Sequence, residues 1–453
     1  MRQIFQSSEY LPFAFFTDMD KIASNTPTDV SCDTAASELT PEFWKFVDDN
    51  RTANPAQLRL KWLGRKCDSA PLDYALAITQ IECRQRFGKK LAETLARDPQ
   101  FLFPDVLAGE QCTSDLLARW HATLTAGAQT VTDMTAGLGI DAWHVADGGA
   151  AVTAIEQRPA AAQALAYNGS RLVGQRLEAL CGDSMELLAG GRLKGDVLFA
   201  DPARRGDRGQ RLFAITDCQP DMTQVLDMAR GLFRKSVIKL SPMLDITATI
   251  AALDGITDIY AVGTRTECSE VVAVVNIEDA GDSLPTPSDH RQAQVSIHAV
   301  TLAADWDQAR QLTATADGER QAPAPDYGMP HPGDVVVEPW PAVMKAALFK
   351  IICQKYGLHK VSPNTHVFWT DVSHDGLDEA GRQWRVEAVV DWQSRNIKRF
   401  KGQWPRAQVA VRNMGMTAEA LAGRLGVREA PDTRVVGLTD NNGGKALLVL
   451  KPL

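Results

Sequence analysis

A short apolar run that passes through a glycine turn into a helical pattern constrains the fold of this chain most. Residues Thr130 to Met134 are β-rich, the turn reads Thr-Ala-Gly-Leu-Gly, and the helical pattern starts at Asp141. A strand, a glycine turn and a helix in this order present backbone N–H groups and a helix N-terminus to a ligand. The unit therefore predicts a parallel α/β sheet with a ligand site at the carboxyl end of its strands.

Acidic residues follow four apolar runs in this part of the chain. They are Asp133, Glu156, Asp183 and Asp201. Glu156 stands 17 positions after Gly139, close to the spacing of about 20 at which such an acid reaches a ribose hydroxyl. Four acids at successive strand ends predict a nucleoside site.

Length and composition limit the classes of protein to which this chain can belong. A chain of 453 residues is too long for one core and predicts two to four domains. Its eight cysteines are scattered without a CxxC pair, which argues against a zinc ribbon or a disulfide framework and favours a reducing, cytoplasmic location. No apolar run approaches about 18 residues, so no membrane span is expected, and the scattered cysteines predict no metal site. The net charge of −8 leaves any nucleic-acid contact to local basic patches.

Periodicity and punctuation divide the chain. Residues 1–39 are polar and predict a flexible extension, and residues 40–110 predict a helical domain that begins with a threonine cap and a proline at 40–41. Residues 111–280 alternate strand and helix patterns, which is typical of a parallel sheet. Their last two strands are joined only by Thr264 to Ser269, too short for a crossover, so this pair must be antiparallel.

The remaining sequence predicts small α+β modules, over 291–370 and 371–453. Near the end, basic residues alternate with Trp392, Phe400 and Trp404. Such a pattern suits RNA stacking and phosphate contact, although a solvated basic face beside core aromatics explains the composition equally well. A basic cluster in the helical domain, Arg84 to Lys90, has the same two interpretations: a solvated helix face or an RNA contact.

Several motifs carry a resemblance to a known family. They are DMTAGLGID, Glu156, CGDSME, DPARR, KLSPMLD and TECSE. In this order they resemble class I S-adenosylmethionine-dependent methyltransferases, and in particular a bacterial group with C-terminal ferredoxin-like and THUMP-like domains. The resemblance implies a Rossmann-like sheet with an antiparallel terminal strand, an N-terminal helical domain and small C-terminal α+β modules.

The resemblance also implies roles for the residues of the cofactor site. The cofactor S-adenosylmethionine would lie over the turn that contains Thr135, Gly137 and Gly139. Asp133 would lie near its methionine end, where a negative group helps to hold the sulfonium and ammonium charges; alternatively it only forms the strand-end turn. Glu156 would accept hydrogen bonds from the ribose, or else stabilise a helix N-terminus.

Asp183 would meet the adenine amino group, or alternatively cap the helix that follows it. The two interpretations of this residue are nearly balanced when its local sequence is taken alone.

The tetrapeptide Asp201-Pro202-Ala203-Arg204 is the candidate catalytic motif. It follows the strand DVLFA and resembles the loops of enzymes that methylate planar nitrogens. Asp201 would accept a hydrogen bond from the target N–H and stabilise positive charge that develops on nitrogen. Pro202 would stiffen the loop, and Arg204 with Arg205 would clamp a phosphate or pair with Asp201.

Two further basic regions are candidates for substrate binding. Lys239, at the next strand end, would contact phosphate or substrate, or simply be solvated. Lys398 and Arg399 would contact RNA.

These observations predict a methyltransferase for a nucleobase nitrogen in RNA. Transfer to nitrogen is favoured because the crevice motifs contain no cysteine pair of the kind used for covalent attack at carbon. Three other hypotheses stay open: a methyltransferase for a small molecule or a protein side chain, a protein that binds the cofactor without turnover, and an NAD oxidoreductase. The terminal antiparallel pair and the DPAR loop argue against the last.

Overall fold

Helices precede a largely parallel sheet, and a mostly antiparallel sheet ends the chain. The computed structural model describes residues 28–29, 39–62, 72–204, 218–277, 294–372 and 374–453. The chain forms two compact units. One comprises residues 1–239, 252–255 and 274–284, and the other comprises 240–251, 256–273 and 285–453.

The first unit starts with short helices, as the periodicity predicts. They are α1 (Pro41–Asp49), α2 (Pro55–Trp62), α3 (Tyr74–Phe87), α4 (Ala92–Arg97) and α5 (Val106–Gln111). The side chain of Thr40 accepts a hydrogen bond from the N–H of Phe43, and Pro41 takes the first helical position. The predicted start of the ordered helical segment is therefore found where a cap and a proline can supply it.

Arg84 on α3 is a structural residue, so neither interpretation of the basic cluster holds for it. Its guanidinium lies 5.2 Å from the ring of Trp44 and donates hydrogen bonds to the carbonyls of Pro99 and Phe101. Burial lowers the pKa of Arg84 to about 10. The side chain joins α3 to the loop before α5, because a partly buried guanidinium needs acceptors for its donors.

The sheet of the first unit is parallel except at one edge. Its strands are β1 (Thr28–Asp29), β2 (Thr130–Asp133), β3 (Ala151–Glu156), β4 (Leu177–Cys181), β5 (Gly195–Ala200) and β8 (Phe233–Leu240). Their order is β1-β4-β3-β2-β5-β8, and β2 to β5 and β8 pair in parallel. The short strands β6 (Ala203–Arg204) and β7 (Cys218–Gln219) form a separate antiparallel pair.

Helix α6 (Asp115–Leu124) precedes β2, and further helices connect the parallel strands in the chain. They are α7 (Ile140–Asp147), α8 (Pro159–Leu172), α9 (Ser184–Ala189) and α10 (Met222–Ala229). This alternation places the carboxyl ends of β2, β3, β4 and β5 at the same sheet edge, where parallel α/β sheets bind their ligands.

One part of the expected flexible extension is ordered. Thr28 and Asp29 form β1 and pair antiparallel with Cys181 and Leu180 of β4. The unpaired backbone groups of an edge strand favour such an addition. The prediction for residues 1–27 and 30–38 lies outside the described residues.

The second unit contains the predicted antiparallel hairpin and extends it. Strands β9 (Ile256–Gly263) and β10 (Cys268–Asn276) are neighbours in the sheet, and the N–H of Thr264 donates to the carbonyl of Glu267 in the turn. The helix α11 (Ile246–Ala252) precedes them.

Strands β11 and β12 depart from the expected organisation. β11 (Ser296–Thr301) pairs in parallel with β9, and β12 (Arg310–Thr315) pairs antiparallel with β11. The sequence placed these residues in an accessory module after the hairpin. They instead continue the sheet at the hairpin's edge, because the outer side of β9 offers backbone groups that β11 satisfies.

The C-terminal segments share one sheet. Its strands are β13 (Val335–Pro339), β14 (His359–Ser362), β15 (Thr365–Thr370), β16 (Gly381–Asp391), β17 (Gln408–Arg412), β18 (Arg434–Thr439) and β19 (Lys445–Pro452). The order is β14-β15-β13-β16-β19-β18-β17. β13 pairs with β16 across the boundary predicted at residue 370, so both predicted modules contribute strands to the same sheet.

The helices of this part of the chain are α12 (Ala316–Gln321), α13 (Pro341–Ala346), α14 (Phe349–Tyr356), α15 (Ser394–Gln403) and α16 (Ala418–Leu425). Of these, α13 packs against β9 and β11. Alternate residues of β18 and β19 belong to two different core clusters, as expected when successive side chains point to opposite sheet faces. Phe400 of α15 and Leu421 of α16 pack in the second cluster. The predicted final hairpin forms β18 and β19, and Asp440 accepts backbone hydrogen bonds in its turn.

Candidate active site

The carboxyl ends of the parallel strands border an open cleft of about 1110 Å³. Six of the predicted site residues line it, and they are Thr135, Gly137, Glu156, Asp183, Asp201 and Pro202. The tertiary structure therefore brings together residues that the sequence could only relate by their position after strands.

The glycine turn is shaped by two left-handed residues. Gly137 has φ 55° and Gly139 has φ 76°, a region that residues with a Cβ enter only at a cost. A Cβ on Gly139 would lie 2.3 Å from Cδ1 of Leu165, whereas a Cβ on Gly137 would meet no heavy atom within 4 Å. Gly139 thus permits close packing of the turn on α8, and Gly137 leaves the surface of the turn open.

Asp133 is buried at the end of β2, and its side chain is 3% exposed. Its carboxylate accepts the backbone N–H of Thr135 at 3.0 Å. Burial raises the pKa of Asp133 to about 7, and the nearby charges of Asp141 and Asp201 act in the same direction. The hydrogen bond from Thr135 and the charge of Lys239 oppose this shift. Asp133 therefore does form the strand-end turn, as the alternative interpretation holds. Its carboxyl also lies beside the cleft and has a pKa at which it changes charge near neutral pH.

Glu156 closes β3 and faces the cleft with a local cation beside it. One carboxylate oxygen accepts the backbone N–H of Arg158 at 2.8 Å and its Nε–H at 3.2 Å. A guanidinium nitrogen of Arg158 also lies 3.4 Å from Asp105 at the start of α5. Glu156 is thus oriented by the turn that follows its own strand.

Asp183 caps α9, which is the alternative that the sequence left open for it. It accepts the backbone N–H groups of Met185 at 2.8 Å and Glu186 at 3.3 Å. The same residue lines the cleft. A capping carboxylate can still present an oxygen to a ligand, so the cap does not exclude a second role.

Asp201 stands at the tip of β5 and is held from two sides. Its backbone N–H donates to Oγ1 of Thr135 at 2.6 Å, which ties the DPAR loop to the glycine turn. One carboxylate oxygen lies 2.7 Å from Nζ of Lys239, while 47% of the side chain stays exposed. Asp201 is therefore held in place by these two contacts, while its carboxylate remains accessible from the cleft.

For the rest of the DPAR motif, the structure describes Pro202, Ala203 and the backbone of Arg204. Pro202 is buried, and the backbone of Ala203 and Arg204 forms β6. The predicted phosphate clamp lies outside the described residues, since it rests on the side chain of Arg204 and on Arg205.

Lys239 is the clearest departure from the sequence analysis. It is only 5% exposed, so the prediction of a solvated strand-end lysine is wrong. Nζ lies 2.7 Å from Asp201, 2.8 Å from Oγ1 of Thr113 and 3.2 Å from Asp141. The ammonium therefore lies between two carboxylates and a hydroxyl. The predicted contact of Lys239 with substrate stays a prediction.

Asp141 and His121 continue this network into the interior. Asp141, in the first turn of α7, accepts the hydroxyl of Thr113 at 2.5 Å and lies 2.7 Å from Nδ1 of the fully buried His121. Burial opposes ionisation of Asp141, but Lys239 and His121 outweigh it and hold the pKa of this carboxyl well below its usual range. Asp141 is thus an anion in the interior.

Sequence reasoning missed Thr113, His121 and Asp141. Asp141 lies two residues after Gly139, in the first turn of a helix. An acid at this position is commonly explained by its interaction with the positive end of the helix dipole, so the sequence gave no separate reason to place Asp141 in the site. Thr113 and His121 carry no local signal. A buried lysine is the feature that requires such partners, but its burial is visible only in the folded chain.

The basic residues of α15 face solvent. Lys398 and Arg399 are exposed, and the helix sequence SRNIKRFKGQ contains no acid. Phe400 is fully buried, and Trp392 and Trp404 pack against the core cluster beneath it. The aromatics therefore serve the core, and the exposed feature of this helix is its positive charge.

Two kinds of site are not found among the residues that the structure describes. None of their helices is both long and apolar enough for a membrane crossing. No group of three or more histidine, cysteine, aspartate or glutamate side chains within these ranges is arranged to hold a metal ion.

Family models match the C-terminal part of the chain. A ferredoxin-like domain matches residues 336–375, and a THUMP domain-like model matches residues 381–452. No curated protein matches the chain.

Solved structures resemble the chain more broadly. A candidate methyltransferase from Porphyromonas gingivalis W83 is 24% identical, with a TM-score of 0.78 over 91% of this chain and 97% of its own. An O-methyltransferase from Bacillus cereus and a candidate RNA methyltransferase from Pyrococcus horikoshii are 15% and 16% identical, with TM-scores of 0.31 and 0.27. They cover 43% and 42% of this chain and 97% and 98% of their own. The first likeness shows that this chain and the P. gingivalis protein have the same fold.

Proposed function

We propose that this protein is an S-adenosylmethionine-dependent methyltransferase that modifies a nucleobase nitrogen in RNA. The observation that carries the proposal is the arrangement of strand-end acids around the open glycine turn, with Asp201 fixed beside them. The P. gingivalis protein of the same fold, named as a candidate methyltransferase, supports the reaction class.

The residues present fit the proposed cofactor. The open surface over Gly137 leaves room for a ligand, and the cleft of about 1110 Å³ exceeds the usual 300 to 1000 Å³ of a small-molecule pocket, so cofactor and acceptor fit together. Glu156 would accept from the ribose hydroxyls and Asp183 from the adenine amino group. Asp133 would supply negative charge near the methionine end.

Asp201 is the proposed catalytic residue. When bound, S-adenosylmethionine supplies an electrophilic methyl group. Asp201 would accept a hydrogen bond from the target N–H, orient the nitrogen lone pair and stabilise the positive charge that develops there. Buried Pro202 limits movement of the loop, and the small side chain of Ala203 leaves space for a flat ring.

RNA is the proposed acceptor. The THUMP domain-like match and the exposed basic residues of α15 support it, because positive charge without exposed aromatic rings suits phosphate contact. The cleft itself is lined by Asp141, Glu156, Asp183, Asp201 and Asp221 but by the single cation Arg158 among described residues. It therefore suits a neutral base better than a phosphate.

Transfer of labelled methyl to total RNA from a strain that lacks this gene tests the proposal. Incorporation is expected with the wild type and is expected to fall about a hundredfold in Asp201→Ala, while calorimetry still detects cofactor binding. Asp227→Ala, which removes an exposed acid on α10, is the matched control and should retain activity.

The other outcomes separate the rival hypotheses. Cofactor binding without incorporation into any RNA would favour a small-molecule or protein acceptor. Equal incorporation by Asp201→Ala and wild type would remove Asp201 from the reaction. No cofactor binding would overturn the proposal as a whole.

A further inference from the structure

We propose that Lys239 is a positioning residue, which acts through Asp201 and is itself held by Thr113 and Asp141. The inference rests on the proposed function, because it explains how the Asp201 carboxylate is aimed at the acceptor. It differs from the two roles that the sequence left open for this lysine, which were contact with phosphate or substrate and simple solvation.

Sheet register brings the pair together. Ala200 of β5 pairs in parallel with Ile238 of β8, so the next residues, Asp201 and Lys239, lie side by side where the two strands end. The resulting distance between Nζ and the carboxylate oxygen is 2.7 Å. Both strands are hydrogen-bonded elements of the sheet, so this contact is made between rigid parts of the structure.

The donors of the ammonium are matched by acceptors. A lysine ammonium has three N–H donors, and here the acceptors are Asp201, Asp141 and the hydroxyl of Thr113. The Thr113 hydroxyl donates in turn to Asp141. The Lys239 ammonium and the Thr113 hydroxyl therefore each donate to defined acceptors, and these hydrogen bonds restrict rotation of the Lys239 side chain.

The two carboxylates that contact Lys239 differ in their exposure to solvent. Asp141 is 11% exposed in its side chain and Asp201 is 47% exposed. Lys239 neutralises the buried anion and orients the exposed one, which keeps Asp201 as an acceptor that faces the cleft. Without the lysine, two carboxylates would remain close together with no cation between them.

Single-turnover methyl transfer measures the coupling between these residues. We expect Lys239→Met to lower the transfer rate about 30-fold, the loss typical of a hydrogen bond to a charged group, with the KM for RNA changed less than about threefold. In an Asp201→Ala background, Lys239→Met should change the residual rate less than about twofold, because a residue that acts through Asp201 has no effect once Asp201 is gone.

Thr113 provides a milder variant in case Lys239→Met does not fold. Thr113→Val keeps the shape but removes the hydroxyl, and we expect about a tenfold loss of rate. Thr113→Ser restores the hydroxyl and should recover most of that loss. Melting temperatures and cofactor calorimetry on each variant identify a change that is only structural.

The outcomes are distinct for the two proposals. Independent, multiplying effects of Lys239→Met and Asp201→Ala would overturn the inference, and a raised KM for RNA with unchanged rate would make Lys239 a substrate ligand instead. If the wild type transfers no methyl group, the proposed function fails. Crystal structures then decide the positioning role: the Asp201 carboxylate should keep its orientation in Thr113→Ser and lose it in Lys239→Met, and an unchanged orientation in both would contradict it.

Discussion

Burial gives Asp133 a property that its sequence position does not reveal. An aspartate in water is ionised at neutral pH, whereas burial raises the pKa of Asp133 to about 7. The carboxyl therefore changes charge within the pH range in which the protein would work. A cationic ligand at the methionine end of the cleft would favour the ionised form.

We expect the affinity for S-adenosylmethionine to rise about tenfold between pH 6 and pH 8, from the change in the ionised fraction of a group with a pKa near 7. The sign follows because the group is mostly protonated at pH 6 and mostly ionised at pH 8, and a cation binds the ionised form. Calorimetry across this range measures the change.

The asparagine variant is the control for this pH dependence. Asp133→Asn has the same shape and no titration, so its affinity should be weaker at pH 8 and nearly independent of pH. An identical pH slope in wild type and Asp133→Asn would assign the effect to another group.

At the scale of the element, the two glycines of the turn have different roles. We expect Gly139 to affect the stability of the fold and Gly137 to affect ligand binding. Gly139 faces the packed side of the turn, where Leu165 occupies the space that a Cβ would need, and Gly137 faces open space. The two glycines share left-handed backbone but differ in their surroundings. Their alanine variants form a matched pair within a single turn.

Gly139→Ala should lower the free energy of unfolding by about 3 kcal/mol, because it adds a steric clash in the core to the cost of a left-handed alanine. Gly137→Ala should cost only about 1 kcal/mol, since it carries only the cost of left-handed backbone. Denaturant unfolding measures both values.

Cofactor binding should respond in a different way. Gly137→Ala is expected to weaken S-adenosylmethionine binding at least tenfold, because the added methyl group enters the space where the cofactor would lie. Wild-type affinity in Gly137→Ala would show that the cofactor does not lie over this glycine.

At the scale of the whole molecule, charge is distributed unevenly. The net charge is −8, yet α15 carries four basic residues and no acid in the sequence SRNIKRFKGQ. A polyanion would be repelled by most of such a chain and attracted to this helix. Phe400 is fully buried, and Trp392 and Trp404 are partly buried against the core, which favours phosphate contact over base stacking at this surface.

The double variant Lys398→Glu/Arg399→Glu should weaken RNA binding about tenfold or more and flatten its salt dependence, because two phosphate contacts are lost. Filter binding at several salt concentrations measures both effects. Cofactor affinity should not change.

Arg192→Glu/Lys194→Glu is the matched control, since it makes the same charge change at exposed residues before β5. Equal weakening by both double variants would assign the effect to total charge and not to α15.

Local sequence patterns predict the features that depend on short segments. The strand, glycine turn and helix that begin at Thr130, the acids that follow each strand, and the final hairpin at Asp440 are all found where local patterns predict them. Each depends on neighbouring residues: a left-handed glycine, a cap, or a carboxylate that directly follows a strand. Such requirements are written within a few positions of one another.

The environment of single charges and the pairing of sheet edges are visible only in the folded chain. Thr113 and Lys239 are 126 positions apart, and no local pattern indicates that the lysine is buried or that Arg84 is enclosed. Likewise β11 reads as an independent strand, but it joins β9 because an edge strand leaves backbone groups to satisfy. Burial and pairing are properties of residues that meet in space, so they follow from the packing of the whole chain.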